Sequence, residues 1–396
     1  MSFEFNFVAD RTIKGRIYPA LARHEARPYT QSWREFGQHY PYTTPFRLQE
    51  YCDRHGVKIN IYSIDDKIPV NTFYPICLGF FDFSIDYFDL LTPAVLRRLH
   101  RNELRVLFYY HEGDNPQRIK NRLDTLVENH LLPPDCYVFV SANTQADQLE
   151  NFVTFHDFEL WYGCRNTEAA LPIHTNIRNY EFTALCRLHK AWRATIMADM
   201  VQAGTLGQSL WSYCEPVAGD LNNDNPIEVD QISQLRWNLD KFAKLTPKFS
   251  DNLDQVKRND HSTVVPYYFN NAYCAIAIES QFDVDQSNGA FITEKTFKSI
   301  KHGQMFFVAG GANSLQALRD LGYRTFDHVL DNSYDTITNH TQRWQRLHEA
   351  VQRTRQAGLH NLFVQCLDDI THNQQLFLAS KQDRLNILHR KIHEQS

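Results

Sequence analysis

Residues 105–141 read RVLFYYHEGDNPQRIKNRLDTLVENHLLPPDCYVFVS. Two apolar runs, Arg105–Tyr110 and Asp135–Ser141, bracket the polar loop His111–Asn115 and a segment opened by Pro116. Within that segment Ile119, Leu123, Leu126 and Val127 recur at the spacing of one helix face, and a proline at the first helical position needs no amide partner. Strand, helix and apolar strand in succession predict a parallel βαβ unit, and several such units predict a doubly wound α/β sheet.

The same alternation extends in both directions. Val57–Ile61 reads as a short strand, and Thr92–Asn102 as a helix with an N-cap Thr followed by Pro93. Further on, Tyr180–Leu185, Ser209–Tyr213, Tyr273–Glu279 and Met305–Val308 read as strands. Lys190–Ala203, Thr293–Lys301 and Ser314–Leu321 read as helices between them, with Gly310 and Gly311 turning the last strand. The first fifty residues look like an irregular lead-in, Glu215–His261 like one helix with long loops, and Thr341–Glu394 like two or three amphipathic helices. These elements predict two Rossmann-like domains, residues 1–170 and 171–340, with helices over 341–396 packing back on the first.

Composition narrows the function classes. The chain of 396 residues is 43% hydrophobic and 22% charged, with 27 Phe, 19 Tyr and 6 Trp, ample for packed cores and against long-range disorder. A net charge of −5 disfavours nonspecific coating of nucleic acid while leaving room for a local basic patch. The 8 cysteines include no CxxC pair, so zinc-finger and thioredoxin readings fail and buried reduced thiols are expected. With no long apolar stretch and no signal-like start, the expectation is a cytoplasmic protein that does not enter membranes.

No GxGxxG, Walker A or GxSxG string is present. Four local constellations carry possible chemistry. In FTALCRLHKAWRATI (182–196), Arg187, His189, Lys190 and Arg193 crowd a helix start. Cations there oppose the helix dipole unless an anion such as a diphosphate sits among them; the plain alternative is a solvated basic turn. In AIAIESQFDVDQSNGAFITEKTFKSI (275–300), a strand ends at Glu279 and a helix starts at Thr293-Glu294-Lys295, at the sheet edge where ligands of open α/β sheets bind. There Glu294 is suited to ribose hydroxyls and Lys295 to a phosphate; the plain account is dipole compensation and an i,i+4 pair with Lys298. In YYHEGDNP (109–116), His111, Glu112 and Asp114 follow a strand and offer a general base; a polar turn in which Asp114 or Asn115 caps the next helix is the alternative. Asp283-Val-Asp285 imitates a DxD metal motif, yet it lies in the loop before a helix, and the 18 histidines form no HExxH pattern, so no metal is expected.

The string GAFITEKTFKSIKHGQMFFVAGGANS (289–314), preceded by Glu279-Ser280, resembles the donor-binding motif of the α1,3-fucosyltransferase-like GT-B glycosyltransferases over about residues 275–320. That family ends a strand in Phe-Glu-Asn and continues, after a loop, with Tyr-Val-Thr-Glu-Lys. Glu279, Thr293, Glu294 and Lys295 match, whereas Ser280 replaces Asn and Phe291 replaces the nucleotide-contacting Tyr. LRDLGYRTFDHVLDNSYD (318–335) also resembles virus-encoded relatives of such enzymes. The resemblance implies the GT-B architecture, with a donor-side second domain and an acceptor-side first domain. It further implies a nucleotide diphosphate sugar held by Arg187, Lys190, Arg193, Glu279, Ser280, Phe291, Thr293, Glu294 and Lys295, and no cofactor besides that donor. Glu112, His111 or Asp114 would serve as base in an inverting transfer to a hydroxyl. A phage-like context would make a hydroxymethylated DNA base the acceptor, with Arg97–Arg105 and Arg118–Arg122 along the DNA; glycan or protein acceptors, and a binding protein without turnover, are the alternatives.

Overall fold

The computed structural model describes residues 3–9, 46–79, 81–166, 168–186, 190–213, 264–282 and 289–395. Arg187 and His189, the Asp283 and Asp285 pair, and the interval Glu215–His261 lie outside the described residues. The chain forms two compact units, one of Met1–Cys164 with Ser380–Ser396 and another of Arg165–Ala379.

The first unit holds six parallel strands, β1 (Glu4–Ala9), β2 (Lys58–Ser63), β3 (Phe73–Leu78), β4 (Arg105–Tyr110), β5 (Tyr137–Ser141) and β6 (Phe152–Thr154), in the order β2-β1-β3-β4-β5-β6. Helices α1 (Phe46–His55), α2 (Pro93–His100), α3 (Pro116–Asn129) and α4 (Asp157–Arg165) accompany them. The second unit holds β7 (Tyr180–Cys186), β8 (Leu210–Tyr213), β9 (Ala272–Ile278) and β10 (Met305–Ala309), all parallel, in the order β10-β9-β7-β8. Its helices are α5 (Ala191–Gln202), α6 (Pro266–Asn271), α7 (Glu294–Lys301), α8 (Ser314–Asp320), α9 (His340–Ala357), α10 (Leu359–Gln365) and α11 (Leu367–Leu378). Helix α12 (Gln382–Glu394) returns to the first unit. The α/β class is as expected, and each sheet starts in its middle, adds one strand on one side and then switches to the other.

Local chemistry explains these elements. Every residue of β3, β5, β9 and β10 is buried, which is why those strands are, but for Ser141, apolar rather than alternating. Thr92 Oγ1 accepts the Val95 amide at 3.4 Å to start α2. Asn115 Oδ1 accepts Gln117 and Arg118 amides to start α3, so Asn115, not Asp114, is the cap. Strand β5 begins later than expected because Cys136 N–H bonds Pro133 O in a turn.

The reading of the N-terminal residues as an irregular lead-in is corrected by β1. Phe5 and Phe7 alternate with Glu4 and Asn6, and Phe3 and Phe5 lie 5.2 Å from the His389 ring of α12. Strand β3 is unexpected because of Pro75, which lacks a ladder donor; its register with β4 nonetheless runs through Pro75↔Leu107. The segment after Thr341 forms four helices rather than two or three. Among the described residues no helix is long and apolar enough to cross a membrane.

Helix α12 is bound to the first unit by charge as well as packing. Glu159 in α4 is fully buried and meets Lys381 Nζ at 2.9 Å and Arg384 Nε at 3.0 Å. Burial pulls the Lys381 pKa below its ordinary value against the pull of Glu159. Arg105 donates to the carbonyls of Ile392 and Gln395 at the far end. Removing one partner of a buried ion pair strands the other, so Glu159→Ala should lower stability by about 3–5 kcal/mol in denaturant titration of the full chain. A loss within about 0.5 kcal/mol, the range of ordinary surface substitutions, would show that apolar packing alone holds α12.

Candidate functional site

In an open parallel sheet the crevice forms where the strand order reverses, beyond the carboxyl ends of the two strands concerned. In the second unit those strands are β7 and β9, neighbours by the pairs Tyr180↔Ala272 and Thr183↔Ala275. After β7 the described chain resumes at Lys190, the N-cap residue of α5, and Arg193 lies in the first turn. After β9 come Glu279 and Ser280. The basic and acidic motifs of the sequence therefore meet at one point in space.

Glu279 is fully buried. One carboxylate oxygen accepts the Thr293 amide at 3.2 Å and the Thr293 hydroxyl, and the other accepts the Thr296 hydroxyl at 2.6 Å. Its own amide donates to Ala309 O at 3.0 Å, so the residue joins β9, β10 and the start of α7. Thr293 is the N-cap residue of α7 but makes no cap bond to its own helix; its hydroxyl donates to Glu279. The Glu279 carboxylate instead holds the amide and hydroxyl of that N-cap residue, at the helix end where the dipole favours an anion. Burial raises the Glu279 pKa above the ordinary carboxylate value, with Lys295 and the two threonine hydroxyls acting against it.

Three cations surround the backbone that follows. Arg193 Nη2 donates to Glu279 O at 2.9 Å, and Lys190 Nζ to Ser280 O at 2.8 Å. Lys295 Nζ lies within 3.2 Å of Ser280 Oγ, Thr293 Oγ1 and Glu294 Oε1. Arg193 is buried, Lys190 half-buried, and the Lys295 side chain 23% exposed, so the charges grade from core to solvent. Phe291 and Thr293 are both 1% exposed and form part of the core beneath.

Two further features were not legible in the sequence. Trp192 stacks on Phe282 at 5.4 Å, and Arg193 and Arg343 lie over the rings of Trp192 and Phe282, respectively. The buried Arg343 of α9 donates to the carbonyls of Phe282, Gly310, Ile337 and Thr338, fastening three segments at this sheet edge. Nothing in its polar surroundings, HTQRWQR, separates it from an exposed arginine. Gly311 has a clearer signal: a Cβ there would approach Gly289 O to 2.5 Å, so only glycine permits this approach of the loop.

In the first unit, the loop after β4 holds His111, Glu112 and Asp114 on different duties. His111 is buried, and burial, with help from Arg47, holds its pKa well below the ordinary imidazole value against a hydrogen bond with Leu78. The ring is therefore neutral and a poor base. Asp114 Oδ2 accepts the Tyr110 hydroxyl at 2.5 Å. Glu112 presents a side chain that is 30% exposed, with Oε1 3.7 Å from His111 Nε2. Its backbone is fixed: Glu112 O accepts the Ala142 amide, and Gly113 O accepts Asn143 Nδ2. Beneath lies a cluster the sequence does not reveal, because its members are far apart in the chain. Asp157 accepts from Arg47, Tyr51 and Tyr109, and burial followed by the Asp157 charge drives both tyrosine pKa values up.

The basic segments Arg97–Arg105 and Arg118–Arg122 are largely engaged internally. Arg98, Arg105 and Arg122 donate to backbone carbonyls, Lys120 pairs with Asp124, and Arg118 lies over the Phe83 ring. Arg97, His100 and Arg101 are exposed.

No family model matches the chain, and no curated protein matches it in sequence. Among solved structures it is similar to T4 phage BGT in complex with UDP and Mn2+, at 10% identity and a TM-score of 0.29, covering 84% of this chain and 92% of that one. At that level of overlap, only the chain's own residues bear on its function.

Glu279 gives a signed pH test. Its folded-state pKa lies above that of the unfolded chain, so the fold binds the proton more tightly, and the residue's contribution falls as pH rises through that window. Glu279→Gln removes the titration. Its melting temperature relative to wild type should therefore climb as pH is raised from the ordinary carboxylate range toward neutrality. A difference independent of pH would contradict the assignment.

Proposed function

We propose that the chain is a glycosyltransferase that binds a nucleotide diphosphate sugar at the β7/β9 crevice and passes the sugar to an acceptor hydroxyl. The observation that carries this reading is the convergence of Lys190, Arg193 and Lys295, from two helices, on Glu279 and Ser280 at the reversal of strand order. The resemblance of residues 275–320 to the fucosyltransferase-like donor motif supports it. Lys190 and Lys295 would exchange their bonds to Ser280 for bonds to the diphosphate. Arg193, more deeply placed, would keep the strand end in position and lend its field. Glu294 would take ribose hydroxyls. As the glycosidic bond breaks, charge accumulates on the leaving diphosphate, and preset cations stabilise it without needing to reorganise.

Transfer also requires a base for the acceptor hydroxyl. Glu112 suits it best, because His111 is kept neutral with low basicity and Asp114 already holds the Tyr110 hydroxyl. A single displacement assisted by this carboxylate would invert the anomeric centre. Among acceptors we favour a hydroxymethylated base of phage DNA over a glycan or protein, on the resemblance of residues 318–335 and the exposed Arg97, His100 and Arg101. A binding protein without turnover is the second reading, favoured by Ser280 and the buried Phe291 at motif positions.

Three measurements test this. Thermal-shift screening with UDP-, GDP- and ADP-sugars should find one nucleotide that stabilises the chain, and slow hydrolysis of that donor should accompany it; stabilisation without hydrolysis or transfer favours the second reading. Lys190→Ala and Lys295→Ala should each weaken the nucleotide by about 10- to 150-fold in calorimetry, the loss of one charge-assisted hydrogen bond, and do so equally in EDTA and in Mn²⁺. Unchanged affinity in both variants would remove the donor assignment. Glu112→Gln should cut turnover by about a hundredfold or more with donor affinity unchanged; near-normal turnover would place the base elsewhere.

A further inference from the structure

The loop between β3 and α2 folds tightly at Asp86. Asp86 Oδ1 accepts the amides of Phe88 at 3.0 Å and Asp89 at 3.2 Å, which fixes the Asp86 carboxylate in the turn. His130 terminates that helix, with its amide bonded to Leu126 O and its ring 5.9 Å from Phe88. Its Nε2 lies 3.1 Å from Asp86 Oδ1, 3.1 Å from Asp86 Oδ2 and 3.5 Å from Asp89 Oδ1. One ring nitrogen carries at most one hydrogen, yet three oxygens from two carboxylates crowd that position. A divalent cation at the centre of that set would serve all of it.

We propose that Asp86, Asp89 and His130 form a site for a divalent transition-metal ion, zinc foremost. Their ligand atoms lie within 4.8 Å of one another. Two donors each about 2.0–2.1 Å from a tetrahedral zinc stand about 3.3–3.4 Å apart, so the observed spacings need only small side-chain adjustments. The ligand chemistry selects the class of ion. Imidazole with two carboxylates suits zinc and its first-row neighbours, whereas calcium seeks about 6–8 oxygens and magnesium a nearly all-oxygen octahedron. The Asp89 side chain is 72% exposed, so water completes the coordination. The ion joins the loop to the end of α3 and acts as a staple. The loop already buries Phe81, Tyr87, Phe88 and Leu91, so the staple would fix a segment of the core. This site is independent of the donor crevice and of the glycosyltransferase reading.

The test uses the full chain freed of metal with a chelator. Calorimetric titration with Zn²⁺ should show one equivalent bound and a raised melting temperature. Mg²⁺ and Ca²⁺ at the same concentrations should do neither. Co²⁺ should give the visible absorption of a four-coordinate ion with nitrogen and oxygen ligands. His130→Ala and Asp89→Asn should each weaken Zn²⁺ by about tenfold or more, while their metal-free circular dichroism matches wild type. Absence of Zn²⁺ uptake, uptake that survives both substitutions, or equal binding of Mg²⁺ would overturn the proposal. The Co²⁺ spectrum of the wild type decides the matter even if a variant fails to fold.

Discussion

The second unit depends on a carboxylate that never reaches solvent. Glu279 closes β9, and its two oxygens accept the amide and hydroxyl of Thr293 and the hydroxyl of Thr296. A buried anion is costly unless it is surrounded by donors and positive charge. The chain supplies the threonines, the amino end of α7 and, nearby, Lys295. This one arrangement sets the register between strand and helix. The arrangement places a negative charge at the amino end of α7, against the N-cap residue Thr293.

That constraint accounts for the basic residues around it. Arg193 and Lys190 hold the carbonyls of Glu279 and Ser280, and Lys295 bridges Ser280, Thr293 and Glu294. These bonds order the strand end. For the two lysines the oxygens of Ser280 are weak partners, and a diphosphate oxygen offers a stronger, charged one. The deeper cations, Arg193 and Arg343, lie on the Trp192–Phe282 stack and are buried, whereas Lys190 and Lys295 are partly exposed.

Much of this was legible in the residues. The unbroken apolar runs of β4, β9 and β10, the Thr92 and Asn115 caps and the helices that follow are local signals that tertiary structure left intact. Other strands had local signals pointing the wrong way, as with Pro75 in β3, or were embedded in an aromatic-rich stretch, as with β1. For the candidate site, Glu279, Lys190, Arg193 and Lys295 stood out by type and position. Their grouping was less accessible, because strand order alone brings residues 190 and 280 together. Arg343 and the Arg47–Asp157 pair carry no local signal, since long-range contacts create them. The division of labour among His111, Glu112 and Asp114 was equally hidden, because it follows from burial and from Tyr110.

The central claim is that the β7/β9 crevice receives a nucleoside diphosphate, and amide hydrogen exchange of the full chain with UDP, GDP or ADP tests it most directly. The account predicts that one of these slows exchange at residues 190–196 and 279–282 and in the first turns of α7, while the sheet of the first unit stays unchanged. No protection with any of the three, or protection that leaves these segments as they are without ligand, would contradict it.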